Sequence, residues 1–269
     1  MRLRHFIKYY TGAFFSGTFP KRSHTVKQEF TLPAASSLPK GIINRSIRYY
    51  CACKLNADNA ESTHKEFWQN QTSSQWFDRT SHRLEELYIP AYQKYVKRVN
   101  SLLAQYGLVN ICEWGAGNGS WLNYLQGQLT GVKNFAGVDL SDSQINANQQ
   151  EYPELTFHQG DIVEWTGSNI QAGTLYHTNT GVLEYLSQAS LTELFSTVIS
   201  KSNTGLFLME PVEKNHDLLT QKHSFLHGDE YSYSHNLPHL INDAGFEIIF
   251  LEEATVLNYR VLIIFAVNK

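Results

Sequence analysis

The chain has 269 residues, 42% of them apolar, and a formal net charge of −3. That length can bury a full core in one or two domains, and the composition is that of an ordinary globular protein, not a disordered or fibrous one. No apolar run approaches the roughly 20 residues that a membrane-crossing helix needs, and no secretory leader is evident.

The charge is unevenly spread. Among residues 1–56 the sole acid is Glu29, against ten Lys and Arg, whereas the rest of the chain holds 12 bases and 24 acids. A basic arm therefore precedes an acidic body. Three readings fit the arm: a solvated or self-docking extension, a surface for anionic lipid, glycan or nucleic acid (including peripheral membrane contact), and an organelle transit peptide. Cys51, Cys53 and Cys112 are too few, and odd in number, for a disulfide framework. They suit a reducing, cytoplasmic compartment. No second Cys or His pair stands at zinc spacing from them, so no metal site is expected. His223 and His227 would share a face if their segment were helical, but no third ligand accompanies them.

Residues 1–60 show no clear periodicity, and Pro20, Pro33 and Pro39 break any long helix. Residues 1–80 read as an irregular or helical extension, and 81–269 as the main domain. A helical stretch is expected from about Ser62, carrying Phe67, Trp68, Trp76 and Phe77, aromatics fit either to cover a ligand or to pack as core. From near Ser81 to Gln105, Leu84, Leu87, Tyr88, Tyr92, Tyr95, Val96, Val99, Leu102 and Leu103 recur at a spacing near 3.6, which predicts an amphipathic helix. Pro90 is expected to kink it and Gly107 to end it.

Strands and helices then alternate. The spacing predicts strands at 109–113, 134–140, 155–159, 174–178 and 205–210. Helices are predicted at 119–129, from Ser141, from Ser190 to Ser200, and at 236–244. Ser141-Asp142-Ser143-Gln144 and Ser190-Leu191-Thr192-Glu193 have the capping-box pattern, in which a hydroxyl and a longer side chain satisfy free backbone donors. The segments at 246–251 and 259–267 are joined by about seven residues. That is too few for a parallel crossover, so the last strand must run antiparallel to its sequence neighbour if the two pair. Repeated βα units make a mostly parallel open sheet with helices on both faces.

The stretch that carries chemistry is Val109–Leu125, an apolar strand ending in an acid, then Gly115-Ala116-Gly117-Asn118-Gly119, then a helix start. Such a turn brings backbone and helix N–H groups close to a ligand at the carboxyl ends of the strands. Alone it fits a dinucleotide or S-adenosylmethionine. The nicotinamide fingerprint is G-x-G-x-x-G, whereas the register here is G-x-G-x-G.

Taken together the motifs resemble those of class I S-adenosylmethionine-dependent methyltransferases, over about Ser81–Lys269. Glu113-x-Gly115-x-Gly117-x-Gly119 is similar to that family's first motif. Asp139 falls at the end of the second strand, and Gly160-Asp161-Ile162 follows the third. Asn179-Thr180-Gly181-Val182-Leu183-Glu184-Tyr185-Leu186 resembles the segment after the fourth strand, and Ala244-Gly245-Phe246-Glu247 the turn into the sixth. The resemblance implies a Rossmann-like seven-stranded sheet with an antiparallel C-terminal strand, and S-adenosylmethionine as cofactor. It implies a cofactor site of Glu113, Gly115, Ala116, Gly117, Gly119, Asp139, Leu140, Asp161, Ile162 and Asn179. Physical chemistry supports each role: Asp139 can accept both hydrogens of a vicinal diol, Asp161 an exocyclic amine, and Glu113 can face an ammonium. Asp161 fits a helix N-cap equally well. For a general base the strand-end positions offer His177 and Glu210, with a core histidine the competing reading of His177.

The acceptor is not written in these motifs. A small molecule, sugar or lipid-linked glycan fits an acidic body. The Asn-Pro-Pro-aromatic signature of adenine or glutamine amino-group methylation is absent, with Thr178-Asn179-Thr180-Gly181 in its place. Alternatives are an RNA-directed methyltransferase, a nicotinamide oxidoreductase and a non-catalytic cofactor-binding module.

Overall fold

The structure is a computed structural model, and it describes residues 10–11, 13–14, 17, 59–70, 82–228, 231–256 and 258–268. Expectations for Cys51, Cys53, Trp76, Phe77 and most of the basic arm lie outside the described residues. The chain divides into two compact units, Met1–Phe67 with Phe225–Tyr233, and Trp68–Ser224 with Ser234–Lys269.

In the first unit the main described helix is α1 (Ala60–Gln69), which continues two residues past the unit's boundary. A Glu61–Lys65 ion pair of 2.8 Å spans one of its turns. His64 is buried, and its Nε2 lies 3.1 Å from the Tyr231 carbonyl. Strands β6 (Phe225–His227) and β7 (Ser232–Ser234) form a two-stranded ribbon. His227 therefore sits on a strand, so the condition under which it would share a helical face with His223 is not met.

The second unit opens with a π-helical turn, Leu84–Tyr88, followed by α2 (Ile89–Gln105). Pro90 falls in the first turn of α2. Helix α2 directly follows the π-helical turn in a helical backbone that is continuous from Leu84, so Pro90 stands where the helix changes type. Tyr92, Tyr95, Val96, Val99 and Leu103 form its buried stripe, as the 3.6-residue spacing requires.

The strands and helices that follow are β1 (Asn110–Trp114), α3 (Ser120–Gln128), β2 (Asn134–Asp139), α4 (Asp142–Glu151), β3 (Thr156–Gln159), α5 (Ile162–Asn169), β4 (Thr174–Asn179), α6 (Gln188–Ile199), β5 (Thr204–Val212), α7 (Leu237–Ala244), β8 (Glu247–Val256) and β9 (Tyr259–Val267). Helix α5 had no predicted counterpart beyond its possible cap at Asp161. The cap of α6 is Ser187, whose hydroxyl accepts from Ser190 N at 3.2 Å, so the helix begins a turn earlier than the Ser190 pattern suggested. Ser187 has the extended backbone that a cap needs, whereas Ser190 already lies inside the helix.

The sheet has seven strands in the order β3-β2-β1-β4-β5-β9-β8, with β9 antiparallel to both neighbours and the other pairings parallel. Strand β8 runs to Val256, five residues past its expected end, so only two residues join it to β9; the two strands pair antiparallel, as expected. Because strand side chains alternate, β9 feeds two cores. Val261, Ile263, Phe265 and Val267 join the side covered by α2 and α3. Leu262, Ile264 and Ala266 join the side covered by α5, α6 and α7. Burial on both faces explains why this strand reads as an unbroken apolar run. Strand order reverses at β1, which lies between β2 and β4, and the crevice at the carboxyl ends of these strands is where such sheets bind ligands.

Phe265 is fully buried and stacks on Phe250, with ring centroids 5.8 Å apart. Phe265→Ala is expected to lower the unfolding free energy by about 3–5 kcal/mol, measured by urea titration; a loss under about 1 kcal/mol would contradict its place in the core.

Candidate cofactor site

The turn after β1 is held through its own backbone N–H groups, mostly by acceptors on β2. Gly115 N and Ala116 N both donate to the Val138 carbonyl, at 2.8 and 3.0 Å. Gly117 N donates to Asp139 Oδ2 at 2.9 Å. Gly119 N donates to the Ala116 carbonyl at 2.9 Å, and Ser120 N to Asn118 Oδ1 at 3.3 Å. Gly115 and Gly119 have φ of +68° and +71°, a region hostile to side chains. Space excludes them as well. A Cβ on Gly115 would lie 2.5 Å from Val182 Cγ2, and one on Gly119 2.8 Å from Phe157 Cζ. At these two positions the room is taken by protein side chains, where a ligand's close approach was the expected reason for glycine.

Three carboxylates lie toward the carboxyl ends of the parallel strands, Glu113 and Asp139 on the adjacent β1 and β2 and Glu210 on β5, beyond β4. Glu113 on β1 is 2% exposed, and its Oε2 has no hydrogen-bond partner. Burial, and then the nearby Asp139 charge, push its carboxyl well above the ordinary range. Asp139 ends β2 half-buried; its Oδ2 receives Gly117 N, and its Oδ1 receives Ser141 N at 2.9 Å. Burial raises its pKa, and these backbone donors partly offset the rise. Glu210 on β5 is 1% exposed and accepts from Val182 N and Leu183 N at 3.3 and 3.2 Å. Burial pushes its pKa up to about 7. None of the three meets a basic side chain in an ion pair among the described residues.

The remaining expected residues are distributed as follows. Leu140, half-buried, follows Asp139, and its carbonyl accepts from Gln159 Nε2 at 3.2 Å. Asp161 caps α5, accepting from Val163 N at 2.8 Å and Glu164 N at 3.4 Å, with buried Ile162 beside it. Asn179 ends β4, and its Oδ1 accepts from the Thr180 hydroxyl at 3.3 Å.

His177 is fully buried, with Nδ1 2.6 Å from the Phe207 carbonyl and Nε2 accepting from Trp121 Nε1 at 2.7 Å. Both nitrogens are engaged, and burial pushes its pKa down to about 4. This is a core histidine. Glu210 is tied to the backbone of the segment after β4. His177 thus has both nitrogens engaged within the core, whereas Glu210 is tied through Oε2 and its buried Oε1 has no hydrogen-bond partner among the described residues.

Other contributors were not among the expected cofactor-site residues. The buried Tyr92 hydroxyl pairs with Thr180 Oγ1 at 2.9 Å, fixing α2 to the post-β4 segment. Trp68 meets Tyr185 of that segment with ring centroids 5.5 Å apart. Asn148 Nδ2 donates to the Gly117 carbonyl at 2.7 Å, and Gln144 Nε2 donates to Asn148 Oδ1 at 2.8 Å. Gln144 was expected to close a capping box on Ser141. The Ser141 N–H is already taken by Asp139, which leaves the Gln144 amide for Asn148.

No protein-family model matches the chain, and no curated protein matches it. Solved structures do. A S-adenosylmethionine-dependent methyltransferase from Leishmania major is 13% identical, with a TM-score of 0.55, the match covering 82% of this chain and 91% of that one. Magnesium protoporphyrin IX methyltransferase from Synechocystis PCC 6803, crystallised with S-adenosylmethionine, is 19% identical over 66% of this chain and 80% of its own, with a TM-score of 0.47. The chain has the Rossmann-like fold of class I S-adenosylmethionine-dependent methyltransferases. Among the described residues no helix is long and apolar enough to cross a membrane, and no group of three or more His, Cys, Asp and Glu could hold a metal ion.

The two buried groups give opposite pH dependences. Glu210 titrates near 4.5 in an unfolded chain and near 7 when folded, so its contribution to stability is full below about 4.5 and is lost as pH rises through 7. His177 falls from 6.5 to about 4, so its contribution is present above 6.5 and is lost as pH falls through 4. Glu210→Gln removes the first and keeps the second. The stability of the native protein relative to this variant is expected to decline between about pH 5 and 7.5, read from urea titrations. A pH-independent difference would contradict the buried, proton-holding Glu210.

Proposed function

We propose that this protein transfers a methyl group from S-adenosylmethionine to a small-molecule, sugar or lipid-linked glycan acceptor. The observation that carries the reading is Glu113 Oε2, a buried carboxylate oxygen near Asp139 that has no hydrogen-bond partner and no basic side chain in an ion pair among the described residues. A buried carboxylate without a partner calls for a cation. S-adenosylmethionine supplies a methyl group bound to a positively charged sulfur, together with an ammonium, a ribose diol and an adenine.

The residues present suit each part. Glu113 faces positive charge. Each oxygen of Asp139 has accepted one backbone N–H and retains a second lone pair, which suits a pair of ribose hydroxyls. Asp161 and Ile162 at the start of α5 suit an adenine amine and a purine face. In-line methyl transfer asks the protein for alignment and exclusion of water more than for proton movement, so the tethering of His177 and Glu210 is no obstacle.

The acceptor reading rests on charge. From residue 134 to residue 200 the chain has no Lys or Arg. A polyanion such as RNA would find few partners on the segments after β2, β3 and β4. The sparse cysteines accord with a cytoplasmic setting.

Calorimetry tests the cofactor role. Asp139→Ala is expected to weaken S-adenosylmethionine binding tenfold or more, since a hydrogen bond to a charged group contributes roughly 1.5–3 kcal/mol; unchanged affinity would refute the ribose role. A cationic ligand beside Glu113 pulls its raised pKa back down, so binding is expected to release protons at pH values between the ligand-bound and ligand-free titrations of this group. The observed heat should then change with the ionisation enthalpy of the buffer, and Glu113→Gln should abolish that change. A labelled-methyl transfer assay over fractionated metabolites, glycans, lipids and RNA identifies the acceptor, and labelling confined to RNA would overturn the acceptor class.

A further inference from the structure

Between Gly115 and Ser120 every backbone N–H but one has an acceptor within the protein. Gly115, Ala116 and Gly119 donate to carbonyls, Gly117 to Asp139, and Ser120 to the Asn118 side chain. The Asn118 N–H makes no such bond among the described residues. Its peptide is the one whose carbonyl, Gly117 O, is gripped from α4 by Asn148 Nδ2 at 2.7 Å. A trans peptide is planar and points its C=O and N–H to opposite sides, and the chain has no cis peptides among its described residues. Holding Gly117 O toward α4 therefore turns the Asn118 N–H away from α4.

The grip is itself oriented. Asn148 is fully buried, and its Oδ1 receives Gln144 Nε2 at 2.8 Å, one helical turn earlier. A primary amide can flip its oxygen and nitrogen with little change of shape. The Gln144 donor selects the orientation that directs the Asn148 Nδ2 at Gly117. Gln144 is 3% exposed, so water does not compete freely for this pair.

We propose that Asn148, oriented by Gln144, is a positioning residue: it fixes the Gly117–Asn118 peptide so that the Asn118 N–H is presented as the turn's donor for an anionic group of the ligand. The inference rests on the cofactor reading above, in which the only anionic group of the ligand is the carboxylate of its amino-acid portion. Asn148 touches no ligand in this scheme. It sets the angle of a peptide that does.

The test separates this role from general support of the fold. Asn148→Leu keeps much of the side-chain volume but removes the donor to the Gly117 carbonyl, so the peptide is no longer held. Binding of S-adenosylhomocysteine and of 5′-methylthioadenosine, which lacks the amino-acid portion, is measured by calorimetry for both proteins. The variant is expected to bind S-adenosylhomocysteine about ten- to a hundredfold more weakly, the range of one hydrogen bond to a charged group, and 5′-methylthioadenosine within about twofold of the native protein. Equal losses for both ligands, or no loss for either, would overturn the positioning role. A measurement on the native protein needs no variant to fold. With selective 15N-Asn labelling, the Asn118 amide resonance is expected to shift on adding S-adenosylhomocysteine and to stay in place with 5′-methylthioadenosine. A static resonance under saturating S-adenosylhomocysteine overturns the proposal while leaving the cofactor reading intact. Native protein that binds neither ligand overturns both.

Discussion

The site is built around one carboxylate. Asp139 sits at the end of β2 and joins two elements that the chain separates, the glycine turn through Gly117 N and the start of α4 through Ser141 N. Charge-assisted bonds of this kind are stronger than neutral ones. Here they hold in one geometry the side chain that suits a ribose and the backbone on which the rest of a cofactor would lie. A half-buried acid would otherwise resist ionisation, and these donors offset part of that cost.

The second constraint is spatial. Val182, on the segment after β4, fills the room left by the absent Gly115 side chain, and Phe157 on β3 does the same at Gly119. The turn is thus shaped from outside by its neighbours as much as by its own dihedral angles. Glu210 ties the same post-β4 segment from beneath through Val182 N and Leu183 N, and Tyr92 reaches Thr180 from α2. β1, β2, β4 and β5 each deliver one part of the site, and the parallel sheet sets their spacing.

Much of this was legible in the residues. The apolar runs ending at Trp114 and Asp139, the short link before Tyr259, and the spacing of glycines and acids gave the sheet, the hairpin and the turn, because each is a local pattern with a local cause. What was not legible depended on contacts distant in sequence. His177 stands where a base could stand, but Trp121 and Phe207 close on both its nitrogens. Gln144 fits a capping box until Asp139 takes the donor it would have met. Asn148 lies in a polar run that carries no motif, yet it is fully buried and bonded to the turn. Ser187 carried the α6 cap because the backbone before Gln188 is extended, which the side-chain pattern at Ser190 did not reveal.

The account depends on two small clusters of oxygen and nitrogen atoms that together recognise a positively charged nucleoside. The most direct check is a crystal structure of the protein grown with S-adenosylhomocysteine. The account predicts the ribose hydroxyls within hydrogen-bonding distance of Asp139 and the amino-acid portion over residues 115–119. Density for that ligand elsewhere, or a nicotinamide dinucleotide retained from purification along the same turn, would contradict it.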